Sequence, residues 1–312
     1  MLRLDDQWVW DSWQADDGER YHLFYLQAPR SPSNPDARHF TVSIGHATSE
    51  DLHHWHVLPQ ALAPSPRPRW DDYTTWTGSV VRAPDGRWLM FYTGTSQDED
   101  GLVQRIGAAE SVDLLTWQRL DTPPLEADPT WYERLDAGTW PDEAWRDPYV
   151  IADPDGDGWH MLITARSKHG PPDRRGVIGH ARSADLLTWE VQPPLTKPGS
   201  FGHLEVPQVV EIDGQALLVF SCHATQMPAD RRHGVAGRGI WTVHGPSLLG
   251  PFDTTTASPF DHPSLYAGRL ILDRSDRWNL LGFRYDEDGE FVGEIADPIP
   301  VEITAGQLKP IT

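Results

Sequence analysis

Three carboxylates stand in short stretches crowded with aromatic and polar residues. Asp11 lies in Trp10-Asp11-Ser12-Trp13, Asp147 in Trp145-Arg146-Asp147-Pro148, and Glu205 in His203-Leu204-Glu205-Val206-Pro207. Two related stretches, Trp76-Thr77-Gly78-Ser79 and Tyr266-Ala267-Gly268-Arg269, carry no acid. Carboxyl groups gathered in one pocket cannot all ionise freely, because burial and mutual repulsion disfavour the charged form. Their pKa values are pushed apart, which leaves one anionic and another able to give a proton. Cleavage of a glycosidic bond requires that division. The neighbours suit a sugar. Trp10, Trp13 and Trp76 offer flat apolar faces, with core packing as the alternative for each. Arg146, Thr77 and His203 offer hydrogen bonds to hydroxyls, and Ser79 and Tyr266 join them as candidate substrate-binding residues. The competing reading is that the acids merely hold water or a central ion.

Residues so far apart in the chain meet only if the elements carrying them repeat. An apolar run recurs about every 60 to 70 residues: Tyr21–Tyr25, Trp88–Tyr92, Trp159–Ile163, Ala216–Phe220 and Trp278–Gly282. A second phrase follows the first three runs, at Ile44–Trp55, Ile106–Trp117 and Ile178–Trp189, with a decayed copy at Ile240–Phe252. Five copies of a four-strand unit predict an all-β fold, a five-bladed β-propeller with four-stranded antiparallel blades, built as one domain over residues 1–312. The innermost strands are expected at Trp8–Ala15, Thr74–Ala83, Asp147–Pro154, Glu205–Ile212 and Leu265–Arg274. The turns that follow them are short and rich in Asp-Gly, as tight hairpins need. The long connections are Arg30–His39, Ser96–Leu102 and Ala224–Arg238, with Ala63–Tyr73, Asp121–Arg146 and Gln192–Leu204. In an up-and-down blade both sets share the rim beside the start of the inner strand, where binding function tends to lie.

The stretches themselves resemble a known group. Trp10-Asp11-Ser12-Trp13 resembles the nucleophile motif of glycoside hydrolase family 68, the levansucrases and inulosucrases. Trp76–Ser79, Arg146-Asp147-Pro148, Glu205-Val206-Pro207 and Tyr266–Arg269 are similar to the motifs of family 32, the invertases and fructanases. The resemblance implies a retaining double displacement on a β-fructofuranoside such as sucrose or a fructo-oligosaccharide. Asp11 would be the nucleophile, Glu205 the acid and base, and Asp147 with Arg146 the stabiliser of the transition state, with no cofactor and no metal. It implies an enzyme of hydrolase type; fructosyl transfer by the same residues, or an inverting arabinan- or xylan-type hydrolysis, is the alternative. A sugar-binding propeller without turnover is a further one. Two positions depart from the family 32 pattern: Trp10 stands where Asn precedes the nucleophile, and Val206 where Cys follows the acid. The C-terminal β-sandwich usual in family 32 has no counterpart in the repeat, so a compact member is expected.

Bulk composition narrows the partners. A net charge of −20 speaks against nucleic-acid backbones and anionic membranes, and fits solubility. The 28 Pro and 26 Gly fit many turns and few helices. Cys222 is alone and sits in an apolar run, so it reads as a buried inert thiol. Met1–Gln7 has no basic-then-apolar leader and no apolar stretch spans a bilayer, which predicts a cytoplasmic protein. Asp153–Gly158 fits the first half of a calcium loop, but Thr164 stands at position twelve, so a hairpin is expected. His46 and His180 occupy equivalent blade positions and read as packing. Arg231-Arg232-His233 reads as a solvated loop.

Two structural expectations follow. Leu2–Gln7 should pair near Phe291–Thr304 and close the ring, since blade five shows no recognisable fourth strand. The long Asp121–Arg146 connection should fold over the axial pocket, with Trp131, Tyr132 and Trp140 facing the leaving-group or acceptor sugar and blinding the pocket's end; packing of these aromatics between blades two and three is the alternative.

Overall fold

Twenty-one strands form among the described residues, in a computed structural model that describes residues 1–31, 33–232, 238–262 and 264–311. They form five antiparallel sheets, four of them with strands in simple sequence order. The inner strands are Gln7–Asp16, Thr74–Arg82, Trp145–Ala152, Glu205–Ile212 and Leu265–Leu272. They contact one another in ring order, one to five and back to one. This is the five-bladed propeller. Blade three begins two residues earlier than expected, so Arg146 and Asp147 both lie within its inner strand.

The second strands Tyr21–Pro29, Trp88–Thr95, Trp159–Arg166 and Gln215–His223 are buried along nearly their whole length, and the fifth, Trp278–Glu287, over Asn279–Phe283. Their side chains fill apolar clusters lying between neighbouring blades. One cluster joins Trp145, Met161 and Ile163 to Phe91 and Ile106, and the next joins Leu162 and Ile178 to Phe220 and Trp241. The repeated phrase is a tight turn. The Asp113 carboxylate accepts the amides of Leu115 and Thr116, each at 2.9 Å, and Asp51 and Asp185 do the same in their blades. Leu52, Leu114 and Leu186 take positive φ there and bury their side chains. Trp117 and Trp189 donate back to the leucine carbonyls.

Blade five differs from the expectation. It has a fourth strand, Gln307–Pro310, paired to Ile299–Thr304, while Glu290–Ile295 forms an extra strand on Trp278–Glu287. Its outer pair is short and carries Pro, which hid it in the sequence. Of the expected Leu2–Gln7 segment only Leu2 pairs there through its backbone, its amide and carbonyl exchanging hydrogen bonds of 2.9 and 3.0 Å with Ile295. Gln7 belongs to the inner strand of blade one. Trp8 meets Phe291 edge-on at 5.3 Å across the same seam.

The signals set aside also find their places. Asp153 begins a hairpin turn closed by its amide on the Gly158 carbonyl at 2.9 Å, and its carboxylate accepts from Arg182 and the Asp155 amide. Cys222 is buried, which pushes its thiol pKa up. Arg231 is no solvated loop residue. Its guanidinium stacks on Phe201 at 4.5 Å and donates to the carbonyls of Thr254 and Thr255. Arg232 donates to the Met227 carbonyl, and His233 lies outside the described residues.

Candidate active site

Each inner strand is interrupted at the same level. Pairing slips between Trp10 and Ser12, Trp76 and Gly78, Arg146 and Tyr149, Glu205 and Gln208, and Tyr266 and Arg269. These are β-bulges, which bend a strand and re-aim the side chains at the break. At four of them the residue at the break has positive φ without being glycine: Asp11 at 31°, Asp147 at 56°, Val206 at 52° and Ala267 at 49°. Such a conformation is strained, most of all for β-branched Val206. In blade two the backbone closes up instead, since a Cβ on Gly78 would meet the Phe91 carbonyl oxygen at 2.1 Å.

The bulges are held by hydroxyls from the preceding blade. The Asp147 amide donates to Thr93 Oγ1 at 3.0 Å, the Val206 amide to Thr164 Oγ1 at 3.2 Å, and the Ala267 amide to Ser221 Oγ at 3.0 Å. Thr93, Thr164 and Ser221 occupy one register, opposite Trp76, Arg146 and Glu205. The sequence reading missed them, although each directly follows one of the repeated apolar runs, which was the available signal.

The result is a layered axis. Trp10, Trp76, Arg146, Glu205 and Tyr266 form the upper ring, and Asp11, Thr77, Asp147 and Val206 the ring beneath; all of these line a cavity of about 600 Å³. That volume is in the range that holds a small ligand. Trp13 and Ser79 belong to a lower level and do not reach the cavity, contrary to the expectation. Trp13 stacks on Phe24 at 6.2 Å inside blade one, and Ser79 Oγ accepts the Val150 amide at 3.3 Å. His203 also corrects the reading. It is 1% exposed, absent from the lining, and its Nδ1 accepts from Arg146 Nη2 at 3.0 Å. It supports the charged groups from behind.

The acids are tied into one network. Thr77 Oγ1 donates to Asp11 Oδ2 at 2.7 Å. Asp147 Oδ2 accepts from Thr164 Oγ1 at 2.8 Å and from the Val206 amide at 3.1 Å. Glu205 accepts from Arg146 Nη2 at 2.6 Å and from the Tyr266 hydroxyl. Gln104, wholly buried, accepts from Arg146 Nη1 at 3.1 Å and donates to Asp142 at 2.9 Å. Burial and then the Asp147 charge push Asp11 up to about 7, against the Thr77 hydrogen bond. Burial also raises Asp147, opposed by Arg146. Burial would raise Glu205 too, but His203, Arg146 and Tyr266 outweigh it and hold it well below the usual carboxylate range. The pKa values are pushed apart as expected, and the group that keeps its proton in this arrangement is Asp11.

The expected rim supplies the upper wall. Arg38, His39 and Phe40 come from the second connection of blade one, Leu102 from that of blade two, and Thr225 and Gln226 from that of blade four. Their positions were legible as long loops, whereas their types formed no motif. The Asp121–Arg146 connection reaches the cavity through Pro141 and Asp142, not through its aromatics. Tyr132 is buried against Trp145 at 4.7 Å and donates to the Gln192 carbonyl. Trp140 packs on His203 and under Arg166, whose guanidinium lies 3.7 Å from its ring. Trp131 is 41% exposed away from the cavity. Tyr132 and Trp140 therefore brace the loop against the blades.

The model of the glycosyl hydrolases family 32 N-terminal domain matches residues 15–290, a stretch that contains Asp147 and Glu205 and begins just after Asp11. Beta-fructofuranosidase 1 of Zea mays is 32% identical over 182 residues, 56% of this chain and 24% of the maize protein. An insoluble-isoenzyme beta-fructofuranosidase of Arabidopsis thaliana is 26% identical over 81% of this chain and 46% of its own length. The chain thus spans less than half the length of these curated relatives. An inulosucrase from Halalkalicoccus jeotgali bound to kestose superimposes with a TM-score of 0.77 at 21% identity, covering 99% of this chain and 90% of that one. A Bombyx mori family 32 beta-fructofuranosidase gives a TM-score of 0.69 at 19% identity, covering 97% and 64%. These two likenesses show a shared propeller, and with more than half the chain matched by the family model, the chain belongs to the glycosyl hydrolases of family 32.

Proposed function

We propose that the pocket cleaves β-fructofuranosides, of which sucrose and short fructo-oligosaccharides are the first candidates, by a retaining double displacement. One observation carries this reading: Asp11, Asp147 and Glu205 converge from three blades on one cavity. In the first step Asp11 attacks the anomeric C2 of the fructosyl unit. The bond from C2 to the leaving oxygen breaks as Glu205 gives that oxygen a proton. In the second step Glu205 takes a proton from water, the water oxygen bonds to C2, and the ester to Asp11 breaks. Asp147, beside Arg146, holds fructosyl hydroxyls and faces the positive charge that develops on the ring.

The proton inventory fits this scheme on one condition. Asp11 and Glu205 share a single proton below pH about 7, and in the unliganded arrangement it rests on Asp11. The productive form is the tautomer with that proton on Glu205, so sugar binding has to bring the transfer about.

Sucrose and p-nitrophenyl β-fructofuranoside test the scheme. Asp11→Asn is expected to lose on the order of 10³-fold or more of kcat on both while its melting curve persists. NMR should show β-fructofuranose as the first sugar released. An α-anomer, or turnover by Asp11→Asn near that of the parent, would refute it. Kestose formed at high sucrose would identify transfer in place of hydrolysis.

A further inference from the structure

Below the acids lies a cation that the scheme above does not use. Arg269, fourth residue of the blade-five stretch, is 1% exposed. Its Nη1 donates to the Pro207 carbonyl, and its plane lies 5.0 Å from the Tyr149 ring. Its Nε and Nη2, the two donors on one edge of the guanidinium, have no protein acceptor. Among the described residues no carboxylate forms an ion pair with it. A fully buried arginine without an ion pair is rare, because desolvating the charge costs several kcal/mol unless other charges compensate. The carboxylates above it can do so: Arg269 acts electrostatically on both Asp11 and Asp147. Tyr149 and Gln208, its counterparts in blades three and four, fix it in place. Gln208 bonds the Leu270 carbonyl at 2.9 Å and the Leu270 amide at 2.6 Å, and its Nε2 lies 3.4 Å from the Tyr149 hydroxyl.

We propose that Arg269 is a positioning residue of the reaction, a counter-charge set under the pocket floor that serves Asp11 and Asp147 together without touching the sugar. The inference rests on the glycosidase reading of the pocket. It sets a positive charge against Asp11 and Asp147 from below, which eases the loss of the Asp11 proton that attack on C2 requires, while Arg146 in the upper ring is shared between Glu205 and Asp147. The charged and titratable groups around Asp11 are Asp147 from blade three with Arg146 beside it, Glu205 from blade four and Arg269 from blade five; blade two contributes the neutral Thr77. Those facing Arg269 are Asp11, Asp147 and Tyr149. Removing the cation leaves Asp11 and Asp147 with only acids and Arg146 around them, so both should hold their protons to higher pH.

The experiment is a pH profile of kcat/KM on p-nitrophenyl β-fructofuranoside for the parent, Arg269→Lys and Arg269→Met, each with a thermal melt. Arg269→Met is expected to move the basic limb upward by roughly half a unit to one unit and to lower kcat at pH 6 by about tenfold, with KM little changed. Arg269→Lys should restore most of the limb position. A basic limb unmoved in a folded Arg269→Met would overturn the proposal and assign Arg269 to packing of the floor. Should Arg269→Met not fold, adding Asp11→Asn decides the matter. Recovery of a folded protein supports the counter-charge, and continued failure to fold overturns it. A parent protein inactive on every fructoside would instead sink the glycosidase reading, which the profile separates from a failure of this inference alone.

Discussion

Asp11 and Glu205 differ in environment more than in chemistry. Asp11 has one neutral hydrogen-bond donor and two acid neighbours, whereas Glu205 has an arginine and a tyrosine hydroxyl on its oxygens. A site that needs one proton on the pair loses it as pH rises through about 7, where Asp11 gives up its own. The kcat/KM of the parent should therefore fall roughly tenfold per pH unit above that point, as a fructoside assay across pH 5 to 9 would show. Tyr266→Phe removes a donor to the ionised Glu205 and should raise that group's pKa, which moves the acid limb upward. The types of these residues were readable in the sequence because motifs name them. The direction of the proton was not, since it depends on Arg146 and Tyr266 meeting Glu205 from two other blades.

The bulged inner strand is the device that makes a propeller blade into a site. Sequence periodicity located each strand, and the Trp10–Trp13 and Tyr266–Arg269 stretches marked their starts. The bulges themselves left no such mark, because a positive φ at Asp, Val or Ala looks like nothing in a sequence. That omission explains the corrections to Trp13 and Ser79. Counted along a regular strand they seem to share a face with the axial residues, but the inserted residue drops them a level. The hydroxyl contacts between blades maintain the strained backbone, and Thr164 has the largest part in this, since its Oγ1 meets Asp147, the Val206 amide and the Leu204 carbonyl. Thr164→Val keeps the shape and leaves those groups without that partner. It is expected to lower stability by about 1 to 3 kcal/mol and kcat by about tenfold or more, measured by urea titration and a fructoside assay. Thr93→Val, which meets only the Asp147 amide and the Thr77 carbonyl, should be the milder change.

The whole ring has its own titration. In blades one and three a buried histidine pair lies between the second and third strands, His22 with His46 at 3.0 Å and His160 with His180 at 2.8 Å. Burial, and then the neighbouring histidine, push His46 down to about 3 and His180 down to about 4. Below pH 6.5 the unfolded chain takes up protons that the folded chain refuses. The contribution of each pair to stability is thus complete above pH 6.5 and is lost as pH falls toward 4, by on the order of 3 kcal/mol, while Asp11, whose pKa is raised, contributes in the opposite sense below pH about 7. The difference in melting temperature between the parent and a His46→Leu, His22→Leu variant across that window should show it; a difference that does not change with pH would exclude the blade-one pair as a source. The fivefold repeat, the rim and the acids were legible because each recurs or matches a motif. The seam between blades five and one was legible only in outline, because it is made once. Its closing contact, Leu2 on Ile295, joins residues nearly a full chain length apart. Distant contacts form late in folding, since the chain between them must first be organised. The ring should therefore assemble blade by blade and shut last, so that the seam governs how long the finished molecule lasts more than how fast it is made. A chain lacking residues 1–6 should refold at nearly the parent rate and unfold faster, as contacts absent from the transition state require. The two arms of a chevron plot would separate those rates.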